Sequence, residues 1–282
     1  QYYPATAGDN AGKVFNDQPE FDKYENFLVS FFGRANYILM NRYYLTATVR
    51  RDGSARFQEH WGTFPSFAFA YKIKEAKPFR DLNWLSDLKL RLGYGVTGQQ
   101  EGIDNYLWIA QYRVGGPYGY YPMAGDGKLY TPKYFNKDLK WETTTTYNVG
   151  LDFGAFDQRV TASVDWYYRK TKDLINNAPV AALSGFADMG LQNIGSLKNT
   201  GVEVALGWKV VQTKDWFWSL DYNFTYNKNE ITDLTGVSEG GLPVLTGANI
   251  DQSNKVLAHQ VGYAANSFYV YQQVYDKNGK PI

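Results

Sequence analysis

The chain has no cysteine, three methionines and two histidines among its 282 residues. Zero cysteine excludes disulfides, thiolate nucleophiles and cysteine-ligated metals together, and it is compatible with an oxidising compartment. His60 and His259 fall in separate expected loops with no partner at ligand spacing, so the sequence proposes neither a metal site nor an imidazole base. Long apolar runs are missing too. The densest stretch, Phe67-Ala68-Phe69-Ala70-Tyr71, stops far short of the roughly 18 to 20 residues a spanning helix needs, leaving strands as the only elements that could cross a bilayer. Charged residues are 20% of the chain and the net charge is +1, with Lys and Arg scattered, so no nucleic-acid partner is expected. The start, Gln1-Tyr2-Tyr3-Pro4, has neither a basic n-region nor an apolar h-region. Either a signal has been removed or the chain begins partway through a longer protein, and strand count favours the second.

What the chain has is aromatic residues, 17% of the total with 24 Tyr and 8 Trp, and alternation of period two. From Arg159 to Arg169, Val160, Ala162, Val164, Trp166 and Tyr168 share one pleat face while Arg159, Thr161, Ser163, Asp165 and Arg169 share the other. Leu88, Leu90, Leu92, Tyr94 and Val96 likewise oppose Lys89, Arg91, Gly93, Gly95 and Thr97. Trp216 to Tyr226 repeats the pattern with Phe217 as the one misfit. Nine strands are expected, at about 27–37, 43–51, 64–73, 88–97, 143–153, 159–169, 199–210, 216–227 and 267–273. Each is near the length a tilted strand needs to cross hydrocarbon.

Connections alternate in length. Short turns at 39–42, 154–158 and 212–215 are separated by long ones at 52–63, 98–142, 171–198 and 228–266, with 74–87 intermediate. Outer-membrane barrels place short turns on the periplasmic side and long loops outside, so the first strand is expected to run inward. Aromatics near strand ends, Tyr37, Tyr43, Tyr44, Phe153, Trp166, Tyr167, Tyr168 and Trp216, are expected in interface girdles. Nine strands leave two open edges. About five unpaired N–H and five C=O groups on each, at several kcal/mol apiece in lipid, total on the order of tens of kcal/mol, above the roughly 5–15 kcal/mol stability of a domain. Residues 1–282 are therefore expected to be one β-barrel segment of a larger wall.

Several segments resemble the SusC/RagA-type TonB-dependent outer-membrane transporters. Tyr44-Leu45-Thr46-Ala47-Thr48-Val49-Arg50-Arg51-Asp52-Gly53-Ser54-Ala55-Arg56-Phe57 is similar to their "YLLTATLRRDGSSRF", and Trp61 to Ser66 to "WGYFPS". Leu88 to Gln99 resembles "LKLRASYGQTGN". Leu139-Lys140-Trp141-Glu142-Thr143, through Asn148 to Phe153 and on to Lys170-Thr171-Lys172-Asp173-Leu174, is similar to "LKWE…N.GLDF…YY.K.T.DLL". Asn193 to Glu203 resembles "NIGS..N.GVE". Ala55 and Gln99 stand where the family more often has Ser and Asn. The resemblance implies an antiparallel transmembrane β-barrel of about 22 strands, of which this all-β chain supplies part. It also implies an N-terminal plug, import powered by TonB, and a SusD-like surface lipoprotein as lid, with the plug, the TonB box and the closing strands outside this chain.

Candidate chemistry is thin. Gly93-Tyr94-Gly95-Val96-Thr97-Gly98 spells G-x-G-x-x-G, but no amphipathic helix follows, and small residues facing a crowded interior explain it better than a nucleotide. Asp104, Asp126, Glu142, Asp173 and Asp188 lie in or beside outer loops and read as solvated charges rather than a glycosidase pair. One long loop gathers Trp108, Tyr112, Arg113, Tyr118, Tyr120, Tyr121 and Tyr130 among glycines and prolines, a composition suited to sugar rings or peptide backbones and expected to contact substrate or lid. Arg34, Arg50, Lys89, Arg91, Asp152, Arg159, Asp165, Arg169, Glu203 and Asp221 are expected to face the lumen or the plug, since Arg or Lys at the lipid midplane costs about 2–4 kcal/mol. The expected function is outer-membrane import of oligosaccharides or peptides, in contact with outer-membrane lipid and without catalysis, cofactor or metal. A soluble carbohydrate-active β protein and a non-transporting adhesin are the alternatives.

Overall fold

The computed structural model describes residues 25–114, 130–180, 189–234, 243–249 and 255–281. Four strands, β1 (Leu28–Leu39), β2 (Tyr43–Ser54), β3 (Trp61–Lys72) and β4 (Leu85–Gln99), come first among the described residues. A hairpin of β5 (Gln111–Val114) and β6 (Tyr130–Lys133) precedes β7 (Glu142–Ala155) and β8 (Val160–Lys172). A second hairpin, β9 (Ile175–Pro179) with β10 (Met189–Asn193), precedes β11 (Ser196–Gln212) and β12 (Phe217–Asp233). Three short strands follow: β13 (Val244–Asn249), β14 (Lys255–His259) and β15 (Ser267–Phe268). One antiparallel sheet runs in the order β1-β2-β3-β4-β7-β8-β11-β12, and the remaining strands form small separate sheets. No helix among the described residues is long and apolar enough to cross a membrane, which says nothing of a β-barrel.

Register turns local alternation into two continuous faces. Tyr37, Leu45, Phe69, Leu92, Val149, Trp166, Val202 and Tyr226 are paired in succession across all eight strands. The next row, displaced by one residue, is Asn36, Thr46, Ala68, Gly93, Asn148, Tyr167, Gly201 and Asn227. Because side chains alternate, a one-residue slip anywhere would mix these rows, so their continuity means that every strand presents its two faces to the same pair of environments. The apolar row is solvent-exposed in the isolated sheet: Tyr37, Leu45, Val149 and Trp166 each expose 41% or more. An exposed apolar surface spanning eight strands needs a non-aqueous neighbour.

The strands are longer than expected. β12 continues to Asp233, and β2 and β3 extend to Ser54 and back to Trp61, which reduces the connection expected at 52–63 to residues 55–60. The ninth expected strand, 267–273, shrinks to Ser267–Phe268 and pairs with β14 rather than with the wall. Among the described residues, β1 and β12 each have a neighbour on one side only. The short turns gather at one end. Met40 and Asn41 have φ of 53 and 52°, and Phe156, Asp157 and Gln158 have φ of 53 to 62°, left-handed conformations adopted here without glycine. At that end Tyr43 stacks on Tyr71 at 4.9 Å, as a girdle would. Tyr44 and Tyr167, also expected in girdles, turn instead to the polar face, where Lys72 Nζ lies 5.2 Å from the Tyr44 ring.

Candidate functional site

At the centre of the polar face, three strands meet at Gly150 of β7, which is opposite Arg91 of β4 on one side and Asp165 of β8 on the other. The Arg91 guanidinium crosses over this glycine. Its Nε donates to Asp152 Oδ2 at 2.9 Å, and Nη2 donates to Asp152 Oδ1 and Asp165 Oδ2, both at 2.8 Å, and to Ser163 Oγ at 3.1 Å. Ser163 Oγ in turn reaches Asp152 Oδ1 at 3.0 Å, and Lys89 Nζ stands 3.8 Å from Asp152. Two cations and two carboxylates are thus mutually satisfied, an arrangement that fixes charge in place rather than moving protons. The same device recurs with Tyr167 of β8, which passes over Gly201 of β11 to donate to Asn227 of β12 at 3.2 Å.

The other expected interior charges fall on this face but in separate places. Arg34 Nε donates to Thr48 Oγ1 at 3.2 Å. Arg50 grips both carboxylate oxygens of Asp52 at 2.7 and 2.8 Å. Arg169 lies 4.8 Å above the Tyr167 ring. Glu203 is opposite Asp165, and Asp221 is opposite Gly207. Arg159 stands apart: it belongs to the short turn before β8 and donates to the Val210 carbonyl at 3.2 Å.

At the long-loop end, β3 and β4 part after the Ser66–Gly95 pair, and a core fills the region: Phe57, Phe64, Ile103, Leu107, Leu139 and Trp141. Phe57 is fully buried and packs 4.9 Å from Trp141, which meets Phe64 edge-on at 5.5 Å. Asn193 ties this core to its neighbours, accepting from Lys140 N–H at 2.9 Å and donating to the Lys140 and Asp173 carbonyls at 2.8 and 2.9 Å. Tyr134 donates to the Leu191 carbonyl at 3.1 Å, and burial pushes its phenol up, keeping the hydroxyl protonated. Trp108 serves the same assembly: its indole N–H donates to the Ala55 carbonyl at 2.9 Å and its ring meets His60 edge-on at 5.8 Å. His60 Nδ1 donates to the Ser54 carbonyl at 3.1 Å. Tyr112 is 70% exposed, while Tyr118, Tyr120 and Tyr121 lie outside the described residues. Arg113 and Tyr130 are described only as backbone in the β5–β6 hairpin. Glu142 accepts the Ile175 N–H at 3.2 Å and Asp173 pairs with Lys140 at 3.0 Å, so both carboxylates are structural; Asp126 and Asp188 fall outside the described residues. No cluster of three potential metal ligands occurs among the described residues.

A strand meander with one apolar and one polar face and long loops at a single end is matched over residues 1–279 by the TonB dependent receptor-like β-barrel family. The chain belongs to that family. Within it, TonB-dependent receptor SusC of Bacteroides thetaiotaomicron is 53% identical over 91% of this chain and 26% of its own length. TonB-dependent receptor P39 of Formosa agariphila is 33% identical over 93% of this chain and 25% of its own length. Among solved structures, the RagAB peptide transporter superposes with a TM-score of 0.74 at 35% identity, covering 90% of this chain and 26% of that one. The outer membrane transporter YddB of Escherichia coli, at 14% identity and a TM-score of 0.51, shares the fold alone. The chain therefore spans about a quarter of the length of the relatives it matches. As part of a TonB-dependent receptor barrel it resides in the outer membrane, where the apolar face suits lipid; barrels of this kind carry their long loops on the outside. The family is one of receptors and transporters, and a soluble carbohydrate-active protein is not favoured.

Sequence reasoning missed Gly150, Ser163, Phe57, Leu139 and Asn193 as partners. The signal was present in part. Phe57, Leu139, Trp141 and Asn193 all lie in the segments that resemble the family, but only the folded register brings them to one place.

Proposed function

We propose that this chain is a single stretch of barrel wall in a TonB-powered importer of oligosaccharides or peptides, covered from outside by a SusD-like surface lipoprotein. The observation that carries the reading is the unbroken apolar row backed by a polar row across eight strands, in a chain 53% identical to SusC. The plug, the TonB box and the closing strands belong to other parts of the same protein, and the complete barrel has about 22 strands. The likeness to the RagAB peptide transporter supports peptides as one cargo class. No reaction is catalysed and no cofactor is held. Arg34, Arg50, Lys89, Arg91, Asp152, Asp165, Arg169, Glu203 and Asp221 line the path or dock the plug, and Arg159 borders its periplasmic end. In the outer loop Tyr112, Arg113, Tyr118, Tyr120, Tyr121 and Tyr130 meet substrate or lid, and Trp108 joins them through its exposed remainder.

The test is uptake of labelled oligosaccharides and peptides by cells producing the full-length protein, compared after deletion of TonB and after deletion of the lipoprotein. Uptake of one class that disappears in both deletions is the expected result. Uptake indifferent to TonB contradicts the reading.

A further inference from the structure

The two ends of the apolar face differ in charge. At the short-turn end the face finishes in Tyr43, Tyr71, Phe153, Trp208 and Trp218, with no charged residue. At the long-loop end it continues into Lys170 and Lys172 of β8, Lys198 of β11 and Lys228 of β12. Pairing is continuous along β8 from Trp166 to Lys172 and along β12 from Tyr226 to Glu230, so alternation keeps these lysines on the lipid side. Register gathers them: Lys170 is opposite Lys198, Lys198 is opposite Glu230, and Lys228 is opposite Thr200 in the next row down.

The charges do not cancel. Glu230 pairs with Lys198 at 2.6 Å and stands 3.9 Å from Lys228. Asp233, across the bulge of β12, is opposite Ser196, which is opposite Lys172. Asp173 is engaged by Lys140 at 3.0 Å. Four lysines against Glu230 and Asp233 leave two positive charges in excess, close to the roughly −1.5 to −2 carried by one phosphate monoester near neutral pH. Depth agrees with charge. Lys170 and Lys228 lie two residues, or about 7 Å along the strand, beyond Tyr168 and Tyr226, and tyrosines at such a boundary mark the membrane interface. Lysine stems lie along apolar surface while their ammonium groups reach outward, which sets the four ammoniums at headgroup height.

We propose that this patch docks a phosphate-bearing glycolipid of the outer leaflet, with the phosphate between the lysines of β8, β11 and β12 and the acyl chains against Trp166, Val202 and Val204. The inference rests on membrane placement and not on import, so it stands or falls separately from the transport reading. A phosphate held this way fixes the lipid through a charge and an apolar surface at once, which free phosphate lacks.

The test is native mass spectrometry of the full-length receptor in detergent, with monophosphorylated lipid A and its dephosphorylated counterpart as probes. The expected result is a preference of at least about tenfold for the phosphorylated form, undiminished by excess inorganic phosphate. Combining Lys170→Gln, Lys172→Gln, Lys198→Gln and Lys228→Gln removes the preference, and arginine at the same four positions keeps it. Equal retention of both probes by the unaltered receptor overturns the proposal whether or not the glutamine variant folds. So does a preference that survives the glutamine substitutions, or one that inorganic phosphate abolishes, which would assign the patch to soluble anions. A glutamine variant whose only change is loss of self-association or of lipoprotein binding overturns it in favour of a protein partner.

Discussion

Gly150 has no side chain, and the ion-pair cluster of the polar face depends on that. A Cβ placed there lies 2.7 Å from Arg91 Cζ and also collides with the Asp165 carboxylate. Gly150→Val is therefore expected to separate Arg91 from Asp165 and to cost about 1–2 kcal/mol, the range for a charge-assisted hydrogen bond in a partly exposed setting. Gly93→Ala on the same face is the control, since its Cβ would meet Asn148 Cβ at an ordinary 3.5 Å. The urea midpoint of the purified receptor, followed by its heat-modifiable electrophoretic mobility, should fall for the first and stay near the parent for the second. Composition could not separate these glycines. Gly93, Gly95 and Gly98 had the look of one motif, yet a Cβ at Gly98 would strike the Phe64 ring while Gly93 and Gly95 have room.

Strands that cross between two media were the most legible elements. β4 and β8 alternate cleanly because lipid and interior impose opposite demands on successive residues. Legibility failed where that contrast ends. Lys228, Asn229 and Glu230 read as loop, although β12 continues through them by pairing with Thr200, Asn199 and Lys198. β3 was expected from residue 64 and begins at Trp61; Pro65 is tolerated inside it because it lies just past the last β3–β4 pair, where the ladder on one side has already stopped. The opposite error came at 267–273, whose aromatics resemble a wall strand but of which Ser267 and Phe268 alone form a strand among the described residues, paired with β14. The long-loop core was legible only as scattered family segments, because packing between distant loops leaves no periodic trace. Its keystone gives a prediction at this scale. Phe57→Ala should cost the loop core about 3–5 kcal/mol, as deletion of a fully buried aromatic does. Limited proteolysis of intact cells should then cut the loops around residues 55–60 and 100–110 while the wall strands remain protected; unchanged cleavage would mean that the loops are held by something else.

At the scale of the molecule, open edges, length and the two faces fit together. The described wall has an unpaired side at β1 and at β12, which in lipid must be met by further strands. The chain spans 26% of the length of SusC, a quarter of a protein large enough to supply them. The strand count and the family resemblance had led to that expectation from different premises. What neither could reach is the pairing of charges across three strands, because alternation names the face of a residue and not its neighbours.

The claim beneath all of this is that consecutive residues of one strand touch different solvents, and β11 allows it to be measured directly. Nitroxide labels at Val202→Cys, Glu203→Cys, Val204→Cys, Ala205→Cys and Leu206→Cys, one at a time in the full-length receptor reconstituted in outer-membrane lipid, report collisions with dissolved oxygen and with a water-soluble nickel chelate; no cysteine of this chain competes for label. Oxygen should dominate at positions 202, 204 and 206 and give way at 203 and 205, a period of two. The same ratio at all five positions, or greater oxygen access at Glu203 and Ala205, would contradict the account.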